Sequence, residues 1–167
     1  IVTYGNAVLP EAMLLAFLET ERPAYRSAAI ATFDFLLDHL FKGDMLRVIS
    51  NCSWLEPGVQ PELFGEQPID VAYTISALAL FHDSFGDAEH ARKMHVAFEW
   101  FLGRNHLAQV MYNSASSGCY DGLEEHSVNL NQGAESTVCY LMARGIMERS
   151  TRTNERRVAD RSVSELR

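Results

Sequence analysis

Residues 67–81 read Gln67-Pro68-Ile69-Asp70-Val71-Ala72-Tyr73-Thr74-Ile75-Ser76-Ala77-Leu78-Ala79-Leu80-Phe81, and their reading decides the fold. A proline at the first helical position has no N–H to waste, so Pro68 marks a helix start. The segment predicts a helix to about Phe85, where Gly86-Asp87 breaks the chain. Its opening recurs. Gln67-Pro68-Ile69-Asp70 aligns with Gln132-Gly133-Ala134-Glu135 at an offset of 65 residues. Phe33-Asp34-Phe35-Leu36-Leu37 aligns with Phe98-Glu99-Trp100-Phe101-Leu102 at the same offset. Separate segments agreeing on one gapless offset point to an internal repeat. The first helix fits it least, because Val2 and Gly5 fall where the glutamine and the acid stand elsewhere.

Outward from this segment, four more helices follow from apolar residues at helical spacing. The first spans about Ala7 to Glu19 with Asn6 as its expected N-cap, and the second spans about Ala24 to Phe41 with Gly43 closing it. The fourth spans about Ala88 to Leu102 with Asp87 as cap, and the fifth about Asn131 to Met147. The stretches 42–66 and 104–130, rich in glycine, proline, serine and asparagine, read as long loops. Short turns near 20–23 and 86–87 join antiparallel neighbours. The expectation is an all-α chain of helical hairpins, residues 1–148, with both loops and the N-termini of helices 1, 3 and 5 at one end. Residues 149–167 form a separate basic tail, expected to be flexible.

Charge and composition narrow the function. Of 167 residues, 47% are apolar and 22% charged, and the net charge is −8. Six arginines and three acids in residues 149–167 leave the body with 8 basic and 19 acidic residues. An acidic body does not suit phosphate contacts, so no nucleic-acid partner is expected. The longest apolar run, Val71 to Phe81, is interrupted by Thr74 and Ser76 and is too short to cross a bilayer, so no membrane partner is expected. Three cysteines without regular spacing argue against a disulfide framework and for a reducing, cytoplasmic setting. The first ten residues have no basic n-region of a signal peptide. With no initial methionine, the chain reads as a processed product or a fragment. Neither the scattered histidines nor His126 has a second ligand at metal spacing, so no metal and no cofactor is expected.

The loop end collects the candidate chemistry. Gln67 with Asp70, and Gln132 with Glu135, each place an amide and a carboxylate on one face of a helix's first turn. One reading is capping, since free N–H groups and the positive helix end favour an acid there. The other is ligand binding, because amide plus carboxylate offers the donors and acceptors that sugar hydroxyls need. Asp121, between Tyr120 and Gly122, reads either as a turn residue or as a third carboxylate at the same opening. Trp54, Tyr112 and Tyr120 are loop aromatics able to pack on a sugar ring or to anchor a loop.

Gly118-Cys119-Tyr120-Asp121-Gly122-Leu123 and Val128-Asn129-Leu130-Asn131-Gln132-Gly133-Ala134-Glu135-Ser136-Thr137 resemble a signature of bacterial proteins classed as glycosyltransferases. It lies in their C-terminal helical region, which is similar to the six-hairpin (α/α) toroid of many glycosidases and sugar epimerases. Glu66-Gln67-Pro68-Ile69-Asp70, Trp100-Phe101-Leu102-Gly103-Arg104-Asn105 and Tyr4-Gly5-Asn6-Ala7-Val8-Leu9-Pro10 are further landmarks, and the resemblance covers about residues 4–147. It implies a partial toroid of about five helices and a carbohydrate ligand. No Gly-rich phosphate loop follows a strand, so transferase activity is not carried over.

Asp70, Glu135 and Asp121 are the expected catalytic residues. Gln67, Asn131, Gln132, Tyr120, Trp54 and Asn6 are the expected sugar-binding residues. If the chain is an enzyme, two carboxylates act as acid and base on a glycosidic bond. The alternatives are a non-catalytic module that binds a glycan or a protein, and a structural fragment completed by homo-oligomerisation.

Overall fold

The computed structural model describes residues 1–165, with side chains described to residue 153. Most of the basic tail expected at 149–167 therefore lies outside the described side chains. Five helices carry the fold: α1 (Val8–Thr20), α2 (Pro23–Leu40), α3 (Pro68–Phe85), α4 (Ala88–Glu99) and α5 (Ala134–Glu165). A 3-10 turn, Trp100–Leu102, extends α4.

The all-α expectation is corrected. Three antiparallel two-stranded sheets stand beside the helices, so the chain is mixed α and β. Strands β1 (Phe41–Lys42) and β2 (Met45–Leu46) pair Phe41 with Leu46. Strands β3 (Tyr112–Asn113) and β4 (Gly118–Cys119) pair Tyr112 with Cys119. Strands β5 (Gly122–Leu123) and β6 (Val128–Asn129) pair Leu123 with Val128. All three hairpins lie in stretches read as loops or as a helix end. Gly43 does not close α2. It takes a positive φ in the two-residue turn between β1 and β2, where a side chain is disfavoured.

Packing follows from the apolar spacing. On α2, Ala29, Phe33, Leu36, Leu37 and Leu40 are buried, a stripe at 3–4 residue intervals. On α3, Val71, Ala72, Thr74, Ile75, Ala77, Leu78 and Phe81 are buried, which leaves little of the helix in water. That is the pattern of a central helix, and α3 contacts α1, α4 and α5. The rings of Phe33 and Phe81 meet at 4.2 Å between α2 and α3. On α5, Tyr140 stacks on Tyr112 at 4.4 Å and meets the edge of Phe101 at 5.3 Å.

The 65-residue period has a physical counterpart. Gly5 N–H donates to Asp70 Oδ1 at 2.6 Å, and Ser76 Oγ donates to Glu11 Oε1 at 2.7 Å. Each pair lies 65 residues apart, so equivalent positions of successive repeats touch between α1 and α3.

The two loop regions are sewn together. Glu66 N–H donates to Leu123 O at 3.0 Å, and Leu123 N–H returns to Glu66 O at 2.9 Å. The side chain of Glu66 is fully buried at this seam. Trp100 Nε1 donates to Glu66 Oε2 at 2.7 Å, Arg47 Nε lies 3.0 Å from Oε1, and His106 Nδ1 lies 3.4 Å from Oε1. Burial pushes the Glu66 carboxyl upward, while the Trp100, Arg47 and His106 contacts pull it down. Glu66 thereby joins the loop after β2, the end of α4 and the segment before β3. We expect Trp100→Phe, which removes the donor to Oε2 and trims a fully buried ring system, to destabilise the fold by about 2–4 kcal/mol. Urea unfolding followed by circular dichroism measures it.

Candidate functional site

Three arrangements hold most of the expected site residues. The first surrounds Asp70, whose side chain is 7% exposed. Its Oδ1 accepts Gly5 N–H from the approach to α1, and its Oδ2 is sealed from solvent with no hydrogen-bond partner. Burial, and to a lesser degree the charge of Glu135, push its carboxyl up to about 7 against the pull of the Gly5 bond. Glu135 is exposed in the first turn of α5. The two acids are near enough to act on each other and on Cys139, whose thiol is pushed up to about 11 by burial and by both charges.

Neither half of the capping-box reading holds at α3. Gln67 is its extended N-cap, yet makes no side-chain cap bond, and the carboxylate of Asp70 holds α1's approach rather than its own helix end. Asn6 does not cap α1 through its side chain either. Ala7 stands at that position, Asn6 O accepts Leu9 N–H at 3.0 Å, and Asn6 Nδ2 is buried without a partner.

The second arrangement surrounds Asp121 at the start of α5. Its Oδ1 accepts Gly133 N–H at 2.7 Å and its Oδ2 accepts Asn131 Nδ2. Burial works to raise its carboxyl, but hydrogen bonds from Ser136, Gly133 and Asn131 outweigh it and hold the group below its usual value. Asp121 thus caps a helix that begins twelve or more residues later in the chain. Gln132 is also held in the loop. Its Oε1 accepts Ser116 Oγ and packs so closely on Gly118 that a Cβ there would collide with it.

The third arrangement is an open cleft of about 930 Å³. One wall is Leu107–Val110 and the other is the β5–β6 hairpin with His126, Ser127, Val128 and Leu130. Tyr112, Asn113, Ser114 and Tyr120 complete it. Asn105 braces the first wall: its Nδ2 donates to Trp100 O at 2.9 Å and to Gln109 O at 2.8 Å. His106 braces the second, with Nε2 2.8 Å from Glu124 O. Tyr112 is fixed by its stack on Tyr140, and Asn113 Nδ2 donates to Tyr120 Oη at 3.2 Å.

Of the nine residues expected in the site, Tyr120 lines the cleft, whereas Asp70, Asp121 and Glu135 form none of its walls. Trp54 is half exposed on the loop after β2, next to the Val2–Leu55 bridge. Glu66, Arg47, Asn105 and His106 carried no site assignment from the sequence, although Glu66 and Asn105 stand within landmark strings. The partners of Glu66, Arg47 and His106 lie far along the chain, so no local spacing marks them, whereas Asn105 bonds within its own loop, to Trp100 and Gln109. Cys119 and Cys139 are buried free thiols, and burial pushes Cys119 up to about 12. Among the described residues, no group of three or more His, Cys, Asp or Glu side chains is placed to hold a metal ion, and no helix is long and apolar enough to cross a membrane.

No family model matches the sequence, and comparison with curated proteins finds no match.

Asp70 makes a pH-dependent prediction. Its folded carboxyl titrates near 7, above an ordinary aspartate at 3.8, so ionising it opposes folding. The contribution of Asp70 to stability therefore declines as pH rises from about 4 to about 7 and levels off above. Asp70→Asn keeps the acceptor for Gly5 and cannot ionise. It should match wild type near pH 4 and exceed it by about 2–4 kcal/mol at pH 8. Denaturant unfolding at the two pH values measures the difference.

Proposed function

We propose that the chain is a carbohydrate-handling region that binds a glycan in the cleft between Leu107–Val110 and the β5–β6 hairpin. The observation that carries this is the cleft's lining. It offers two fixed tyrosines, the amides of Gln109 and Asn113, and the hydroxyls of Ser114 and Ser127, with no Asp, Glu, Lys or Arg side chain. A pyranose presents an apolar face and a rim of hydroxyls, which aromatic rings and neutral donor–acceptor groups match. The strings that resemble the glycosyltransferase-linked region contribute Tyr120, Val128 and Leu130 to these walls.

Binding without turnover is the form of this reading that the geometry supports best. Asp70 and Glu135 have the neighbouring-acid relation that glycoside hydrolysis uses. Yet the free oxygen of Asp70 is sealed, and neither acid borders the cleft. Asp121 is spent on the start of α5. Titration calorimetry with a panel of neutral mono- and disaccharides tests the reading. Binding should weaken about three- to tenfold in Tyr120→Ala, from loss of one stacking face. If no sugar in the panel binds, the reading falls. Release of reducing sugar that is abolished by Glu135→Gln would replace binding with catalysis.

A second reading, association between copies, is favoured by the apolar side chains left in water on both outer helices. Leu9, Leu15 and Leu18 of α1 and Val138, Leu141 and Met142 of α5 are exposed. Equivalent positions of neighbouring repeats already touch between α1 and α3, so the free side of α5 offers the next such position to α1 of a second copy. Light scattering should show a species larger than the monomer. A lone monomer at high concentration removes this reading.

A further inference from the structure

Two apolar side chains stand out of the cleft's walls on fixed backbone. Leu130, just past β6, is 66% exposed, and Val110, on the opposite wall, is 51% exposed. Asp121 N–H is shared between Asn129 O at 3.2 Å and Asn131 O at 2.9 Å, and Asn131 Nδ2 returns to Asp121 Oδ2. Two carbonyls, two residues apart and turned to one N–H, are the pattern of an extended strand, whose successive side chains point to opposite sides. Leu130 therefore points away from Asp121, on the side opposite Asn131. Val110 is also held from both flanks. Before it, Gln109 N–H donates to Asn105 Oδ1 at 3.2 Å, and Gln109 O accepts Asn105 Nδ2 at 2.8 Å. After it, Met111 N–H donates to Phe101 O at 2.9 Å, Met111 O accepts Tyr120 N–H at 2.9 Å, and the Met111 side chain is fully buried.

Apolar side chains carried on fixed backbone are a prepared surface: covering them gains the hydrophobic term with no backbone left to order. What covers them must also suit the rest of the cleft. Tyr112, Asn113, Ser114 and Tyr120, which complete it, present rings, an amide and hydroxyls, and no Asp, Glu, Lys or Arg side chain lines it. Val110 and Leu130 present methyl groups alone. A second sugar unit laid on them would lose water from its hydroxyls and find no donor or acceptor in exchange. An alkyl or aryl group has no such hydrogen bonds to lose. We infer that Val110 and Leu130 form an apolar subsite of the cleft, so that its ligand class is a neutral glycoside carrying an alkyl or aryl group. The sugar half of this inference rests on the glycan reading of the cleft; the apolar subsite does not.

The test uses the whole chain and paired probes. Titration calorimetry compares the methyl and hexyl β-glycosides of glucose, galactose and mannose, below their micelle concentrations, with 1-hexanol as the probe without a sugar. A fully buried methylene is worth about fourfold in affinity, and open lips cover only part of a hexyl chain. The hexyl glycoside should therefore bind about tenfold tighter than the methyl glycoside of the same sugar, and tighter than 1-hexanol. By nuclear magnetic resonance, the methyl groups of Val110 and Leu130 should shift further with the hexyl probe than with the methyl probe. Leu130→Ser and Val110→Ser, both at exposed positions, should each cut the hexyl-to-methyl ratio to about two- to threefold. Tyr120→Ala should weaken both probes alike and leave the ratio near tenfold.

Equal affinity for the hexyl and methyl forms overturns the inference and leaves the glycan reading standing. A hexyl gain that both serine variants keep in full also overturns it, because the chain then lies elsewhere. So do Val110 and Leu130 resonances that move with protein concentration and not with the hexyl probe, since the lips are then a contact between copies. Binding of hexyl glycoside and 1-hexanol alike, with no methyl glycoside bound, supports the apolar subsite and removes the glycan reading alone. If no probe binds, both fall.

Discussion

A carboxyl group with no access to water dictates much of the arrangement around it. Glu66 is fully buried, and an ionised carboxylate in that position is tolerated only when charged or polar partners surround it. Those partners come from three distant places in the chain: Arg47 after β2, Trp100 at the end of α4, and His106 before β3. Satisfying one side chain therefore draws both loop regions onto the end of the helical body. The backbone exchange between Glu66 and Leu123 extends the same seam to the β5–β6 hairpin. Removing one partner leaves a buried acceptor unmet, whereas removing an exposed pair such as Arg144–Glu148 leaves both groups in water.

The helices were legible because their signals are local. Pro68 at a first turn, Gly86 at an end and Asp87 as a cap each act within a few residues. The stripe on α2 is a periodicity that any window displays, and the 65-residue offset became visible as contact between Gly5 and Asp70 and between Glu11 and Ser76. The strands were not legible, and the fold class was misread for that reason. Each has two residues, too few to show alternation, and its pairing is set by the turn and by what the hairpin rests on. Asn113 through Ser117, read as a loop from its composition, is the turn region of a hairpin whose strands pack under Tyr140.

The site divides along the same line. Residue types that suit sugars were visible at the loop end, and Tyr120 is on the cleft. What each of the three acids does could not be read from its spacing, because a carboxylate's role depends on what reaches it. Asp121 meets Gly133 and Asn131 and becomes a helix cap supplied from across a loop. Asp70 meets one backbone N–H and is otherwise enclosed. Glu135 stays in water. Spacing along a helix places the Cα atoms of Asp70 and its neighbours on one face, but partners come from outside the helix: Gly5, 65 residues away, for Asp70, and Asn131 and Gly133, across a loop, for Asp121.

This division of labour has a physical consequence for the cleft. The chain carries a net charge of −8, so a cleft lined with its own acids would repel anionic ligands and hold neutral ones behind tightly bound water. Here Asp70 and Asp121 are tied to backbone N–H groups and asparagine, Glu66 is buried in its seam, and the cleft itself is lined with tyrosine, amide, hydroxyl, imidazole and apolar groups. Rigid aromatic faces order little on binding, which keeps the entropic cost low. Their rigidity in turn comes from Tyr140 beneath Tyr112, Asn113 on Tyr120, and Asn105 and His106 bracing the two walls. The buried polar groups thus act at a distance: they fix the spacing between the two walls of the cleft.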